Sequence, residues 1–172
     1  MNKLMICLIA FFAAMSCKEQ NTSTLSRRGE ASNETERNIY RCGDSMLAAF
    51  NRKDWMTFVK YNHPNMTKRM GGNTSFASFI SKQMDQIPDT VIKSVEMGKI
   101  LQVVKTPKDE QCVVEQIIKM NLDGKTIDKK TYLIGESLDE GNNWTFFDAS
   151  TKTGLTPQDI KPDVSKALKV PQ

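Results

Sequence analysis

One side chain in this 172-residue sequence has an ordinary pKa suited to moving protons at neutral pH: the single histidine, His63. A general base is therefore the first chemistry to consider. Its setting, "YNHPNM", suggests another use. A histidine before proline at a helix end commonly caps the backbone or faces water, and Pro64 disfavours helical geometry at His63. The second pattern with chemical content is "SLDEGNNWTFF", Ser137 to Phe147. In a turn, Asp139 can accept backbone amides, Gly141 and Asn142 tolerate positive φ, and Trp144 can anchor a returning strand. The four cysteines show no C-x-x-C or Cys/His spacing that suggests a metal site, and no cofactor is expected.

The spacing S-x-D-x-G-x-x-W resembles the Asp box of sialidases and other β-propellers, which would imply glycan cleavage. A propeller repeats the motif over several blades. It occurs once here, in a chain too short for them, so the stretch is read as the last hairpin of a sheet.

The N-terminus reads "MNKLMICLIAFFAAMSC": one lysine, an apolar run from Leu4 to Met15, then small residues and a cysteine. This is the layout of a secretory signal. A run of roughly 12 residues is short of the about 20 needed to span a bilayer. "AMSC" resembles the lipobox of bacterial lipoproteins, with Ser16 before the cut and Cys17 lipidated; Ala14 stands where leucine is commoner. An ordinary signal followed by an incidental cysteine is the alternative. If Cys17 carries palmitate-type chains, each buried methylene adds about 0.8 kcal/mol of membrane affinity. Lys18 takes the place of the aspartate associated with inner-membrane retention, which points to the outer membrane, on its periplasmic or surface side. "CKEQ" partly resembles the Lys-plus-acidic surface signal of Bacteroidetes lipoproteins.

The expected division is residues 1–16 signal peptide, 17–33 lipidated cysteine and tether, 34–150 a single domain, and 151–172 a C-terminal tail. The tether composition, polar with Leu25 as its one large aliphatic, cannot offset its ordering entropy. Loss of Lys3 with the signal lowers the net charge from +4 to +3, which gives no nucleic-acid footprint. Cys42 and Cys112 would sit in an oxidising compartment, either paired as a disulfide or as two separate buried hydrophobes.

Ile39, Cys42, Met46, Leu47 and Phe50 recur at helical spacing. A short helix follows, capped by Asp54 and carrying Trp55, Phe58 and Val59 on one face; Pro64 is expected to end it. Gly71 and Gly72 precede a third helix with Phe76, Phe79, Ile80 and Met84. From Thr90 the texture becomes β-rich, with Gly98, "TPKDEQ", "DGK" and "DEGNN" as separators. In the second segment Cys112, Val114, Ile118, Met120 and Leu122 make the drier face, against Val113, Glu115, Ile117 and Lys119. Helices followed by hairpin-linked strands give an α+β class, with the helices packed on a curved antiparallel sheet of four to six strands. In the tail, Leu155, Ile160, Val164 and Leu168 could lie across the domain.

"MLAAFNRKDWMTFVKYNHPNM", with its A-x-N/R-x-x-D-W/x-x-F step, its "HP" and the later "GG", resembles the opening of nuclear transport factor two-like domains. "GESLDEGNNWTFFDAS" resembles the last hairpin of small cone-shaped lipoproteins from Bacteroidetes. Together these cover about residues 36 to 150. The resemblance implies a sheet wrapped around a long helix, with a cavity at the open end of the cone. Steroid isomerases and epoxide hydrolases of that superfamily use cavity-facing Asp, Tyr, Arg or His groups. Tyr40, Tyr61, His63, Glu115, Tyr132 and Asp148 are the corresponding candidates, though none falls on a catalytic motif of the family. Trp55, Phe58, Phe76 and Phe79 could line the cavity or form core, and seven methionines after residue 17 would make an adaptable lining.

The function expected is a noncatalytic, lipid-anchored envelope module that binds a small apolar ligand or a protein partner. A small hydrolase or isomerase, with Tyr40, His63 or Asp148 in acid–base roles, is the alternative. A structural envelope-assembly lipoprotein is a third. Two tripeptides, Asp44-Ser45-Met46 and Asp89-Thr90-Val91, resemble the D-[ST]-apolar O-glycosylation acceptor of Bacteroidetes, and only Thr90 is expected in a loop.

Overall fold

A computed structural model describes residues 33–150 and 155–171; the signal, Cys17 and most of the tether lie outside these residues. Four helices, α1 (Glu34–Asn51), α2 (Trp55–Lys60), α3 (Pro64–Arg69) and α4 (Asn73–Met84), precede the strands. β1 (Ile92–Lys105), β2 (Glu110–Leu122), β3 (Lys125–Ser137) and β4 (Thr145–Asp148) form one antiparallel meander in chain order, and α5 (Pro157–Ile160) follows in the tail. The domain is therefore α+β, with four strands. No helix among the described residues is long and apolar enough to cross a membrane.

Each helix start has a local cause. Asn33 caps α1 by accepting the Glu36 amide at 2.9 Å, and Asp54 caps α2 by accepting that of Thr57 at 3.1 Å. Pro64 opens α3 rather than only closing what precedes it. His63 holds an extended ψ of 134°, its Nδ1 accepts the Asn65 amide, and a proline at the first helical position has no N–H to waste.

The apolar stripe of α1 packs on one face of the sheet. Ile39, Cys42, Met46 and Leu47 meet Val95, Met97, Cys112, Val114, Ile118, Met120, Leu133, Trp144 and Phe146. Cys42 and Cys112 stand in this core as separate buried thiols, and burial holds the Cys112 thiol well above its ordinary pKa. The β2–β3 hairpin turns through Asp123 and Gly124, both at positive φ, as the "DG" pair requires.

Three sequence expectations change. The helix after Gly71 and Gly72 is the fourth rather than the third, because Pro64 starts the additional helix α3. Gly98 separates nothing: it lies inside β1, at an irregularity between Met97 and Ile100. A Cβ there would come within 2.6 Å of the Glu115 Cβ, so the glycine serves a close approach rather than a turn. The second face of β2 is not the wet one either. Val113, Ile134, Phe147 and Ala149 are buried on it beneath Ile160, Val164 and Leu168 of the tail. A strand covered on both faces loses the alternation that period-2 reading relies on.

Candidate functional site

The polar groups gather in two places. The first is the tail-covered face of the sheet. Lys161, 3 % exposed, directs its ammonium to Asp109 Oδ2 at 2.6 Å, to Asp163 Oδ1 at 2.7 Å and to Glu136 Oε1. Thr106 Oγ1 donates to Asp109 Oδ1 at 2.6 Å, and Gln111 Nε2 donates to both Asp109 oxygens at 3.0 and 3.1 Å. The same Gln111 amide donates to Asp163 O at 3.2 Å and accepts the Ser165 amide at 2.8 Å, which ties β2 to the tail. His63 Nε2 lies 2.8 Å from Glu136 Oε2, but its N–H is not aimed at that oxygen, so the contact is electrostatic rather than a directed hydrogen bond. The Phe147 ring stands edge-on to His63 at 5.3 Å.

Burial alone would push the Asp109 carboxyl up; the bonds from Lys161, Thr106 and Gln111 outweigh it and bring it to about 2. Burial likewise works against the Lys161 ammonium, and the three carboxylates win and raise its pKa. A carboxylate–lysine–carboxylate–histidine chain resembles acid–base machinery in composition. Here every member is buried and held by its neighbours, and it fastens residues 156–171 to the sheet.

The second place is an open trough of about 410 Å³ at the end of the sheet beyond the α1 N-terminus. Asn33, Thr35 and Glu36 line it from the α1 side, Ile100, Leu101, Gln102, Val103 and Lys105 from β1, and Glu110 from β2. Leu101 and Val103 stay 39 % and 38 % exposed, a large apolar exposure for neighbouring strand positions. Lys105 Nζ lies 3.0 Å from Glu110 Oε1. The Ser137–Trp144 turn backs this end of the trough. Gly141 has φ +82°, and a Cβ on it would meet Glu110 Oε2 at 2.8 Å and Thr35 Oγ1 at 3.1 Å. Arg41 donates to Asn142 O at 2.5 Å from the α1 side. A smaller notch of about 170 Å³ is bordered by Phe50, Trp55, Met84, Ile87 and Ile92, with the Lys53–Asp89 pair at its rim.

The residues singled out in the sequence are dispersed among three packed clusters. Tyr40, Phe58 and Tyr61 lie against the α1 core, and Trp55, Phe58, Phe76 and Phe79 join α2 to α4. Tyr132 belongs to the tail-covered face, and His63 to the ionic network there. Glu115 is held by Lys130 Nζ at 3.1 Å and by the Lys99 amide at 3.3 Å. Asp148 stands opposite Leu133 on the α1 side, where burial raises its pKa and Oδ1 accepts the Ser150 amide at 2.6 Å. Of these residues Trp55 borders the notch, and none lines the trough. Ser45 donates to Arg41 O inside α1, whereas Thr90 is exposed at the turn before β1.

The trough residues Ile100, Leu101 and Val103, and the clamp residues Asp109, Gln111, Glu136 and Lys161, were not singled out in the sequence. "KILQVVK" carried a signal for the former, since apolar side chains there break strand alternation. Nothing local marked the latter, because Asp109 and Lys161 are 52 positions apart.

No family model matches the chain, and no curated protein matches it. Among solved structures, it is similar to TerC co-crystallised with polyporic acid, at 14% identity and a TM-score of 0.35, over 64% of this chain and 90% of that one. It is similar to an NTF2-like protein of unknown function from Burkholderia pseudomallei, at 11% identity and a TM-score of 0.35, over 64% and 90% of the two chains. An uncharacterised cystatin-fold protein from Novosphingobium aromaticivorans gives 13% identity and a TM-score of 0.33, over 63% of this chain and 96% of that one. At these scores the likenesses assign no residue a role.

Proposed function

We propose that this chain is a noncatalytic binding module of a bacterial envelope, anchored by lipid on Cys17 and recognising its partner through the trough. One observation carries the binding half. Asp109, Glu136 and Lys161 are held together in buried contacts, while the open concavity is mostly polar, sets Ile100, Leu101 and Val103 among its polar groups and carries a Lys105–Glu110 pair. The anchor rests on "AMSC" and the apolar run before it. In this reading the tether holds the domain off the outer membrane.

A photoreactive phenylalanine analogue placed at Leu101 in cells tests the reading, with the same analogue at exposed Met56 of α2 as control. A specific adduct from position 101 and none from position 56 is expected. Equal or absent adducts would remove the trough from consideration. In the same cells, labelling with an alkynyl fatty acid should mark the wild-type chain and place it in the membrane fraction. Cys17→Ser should lose both, and a variant that kept them would refute the anchor.

A further inference from the structure

The two edges of the sheet are finished differently. At β4, the Phe146 amide donates to Tyr61 O at 2.8 Å and the His63 amide donates to Phe146 O at 2.9 Å, so the segment after α2 closes that edge. At β1 the closure is partial. Asn51 imitates a neighbouring strand at Val95: its Nδ2 donates to Val95 O and its Oδ1 accepts the Val95 amide, both at 2.8 Å. Register shifts between Ile92 and Ser94, Met97 and Ile100, and Ile100 and Gln102 then disrupt the strand as far as Leu101.

Beyond Leu101 the strand is regular, with Gln102, Val103, Val104 and Lys105 facing Val113, Cys112, Gln111 and Glu110 in turn. The Thr106 amide donates to Asp109 O at 2.8 Å, so antiparallel alternation turns the N–H and C=O of Val103 and Lys105 away from β2, to a side on which no strand pairs among the described residues. Exposed Leu101 and Val103 lie beside them in the trough.

Lysines outnumber carboxylates around this stretch, although Glu36 and Glu110 line the trough itself. Lys99, Lys105 and Lys108 are exposed along it, and Gln102 brings the tail lysines close by donating to Ala167 O and accepting the Lys169 amide, both at 2.9 Å. Glu110 answers Lys105 at 3.0 Å and Asp163 answers Lys108 at 3.8 Å. Lys99, Lys166 and Lys169 have no carboxylate within 4.0 Å among the described residues.

We propose that the Gln102–Lys105 edge takes an extended segment of a partner protein as a fifth strand, one that alternates apolar and acidic residues. Its backbone satisfies the outward groups of Val103 and Lys105, its apolar side chains cover Leu101 and Val103, and its carboxylates meet the lysines. A second copy of this chain fits poorly, because edge-to-edge pairing about Val103 would bring two rows of lysines together. The proposal rests on the trough being a binding surface.

Selection of displayed random 12-residue peptides against the full chain carrying Cys17→Ser tests it. The counter-selection target adds Leu101→Lys and Val103→Lys, exposed changes whose urea midpoint verifies folding. Enriched peptides should alternate acidic and apolar residues and bind the unaltered edge at least about 10-fold tighter. N-methylation of the two amides that face the edge should cost a similar factor, and the amide resonances of residues 100–105 should shift. No enrichment, enrichment indifferent to N-methylation, or equal enrichment of basic peptides would overturn the proposal. So would a dimer abolished by Val103→Lys, which would assign the edge to a second copy. Failure here with a specific adduct at position 101 would reject strand addition and leave the binding reading; failure of both would reject the two together.

Discussion

Lys161→Met is expected to cost about 3–5 kcal/mol and to release the tail from the sheet. Methionine keeps most of the buried stem and removes the ammonium. Asp109 and Glu136 are then left in a dry site without a counter-ion, and they must take up protons or draw in water. The full set behaves differently from the single change. When an entire buried ion cluster is replaced by neutral groups of similar shape, the desolvation cost disappears with the attraction. Lys161→Met combined with Asp109→Asn and Glu136→Gln should therefore recover much of the loss. Urea midpoints, together with amide exchange over residues 156–171, read both effects. A single-variant cost below about 1 kcal/mol, or a triple variant no better than the single, would show that the network does not hold the tail.

The same contacts set an acid limit. The Asp109 carboxyl is held at about 2 against an ordinary 3.8, so it titrates lower folded than unfolded. Its contribution is complete above the ordinary value and is lost as pH falls from there through about 2. Protection of the tail amides should decline across that window, while the Lys161→Met chain, already released, should show little further change. A flat wild-type profile would contradict the assignment.

Trp144→Ala is expected to cost about 3–5 kcal/mol, as truncation of a buried aromatic does. The indole is 1 % exposed and packs in the α1 core, so its removal leaves a cavity where sheet, turn and helix meet. It also deletes the bond from Nε1 to Gly141 O at 3.0 Å. The rest of the motif supports that position. Asp139 Oδ1 accepts the Ser137 hydroxyl at 2.8 Å and the Asn143 amide at 2.8 Å, and Ser137 Oγ accepts the Gly141 amide at 3.0 Å. Trp144→Phe keeps an aromatic ring and loses the N–H, so it should cost clearly less than alanine. Denaturant unfolding separates them, and an alanine cost under about 1.5 kcal/mol would show that the indole is not a core anchor.

Caps and turns were legible in the sequence because their causes are local. Asp54 needs only the next three residues to cap α2, and "DG" supplies two positive-φ positions by itself. The stripe of α1 was legible because a helix repeats its buried face every 3.6 residues. The turn pattern at Ser137–Trp144 was legible because its bonds are local, although its resemblance to a catalytic motif pointed elsewhere.

The site was much less legible. Glu136 looks like a polar strand residue until Lys161 arrives from 25 positions away, and Lys161 looks like a tail lysine until it is buried. His63 drew attention as a base, and the fold makes it a helix cap beside a clamp carboxylate. The apolar run at Ile100–Val103 was visible, but its meaning depends on where α1 begins, since Asn33 and Glu36 line the trough from that side. By itself, then, the sequence determined that helices precede hairpin-linked strands, together with the cap of α2, the final turn and the α1-facing core, but neither α3 nor the continuity of β1. Each feature it determined depends on neighbours a few positions away. Tertiary structure alone decided which face the tail covers, which charges are buried together and which stretch of edge has no paired strand, because these join residues that only chain reversal brings into contact.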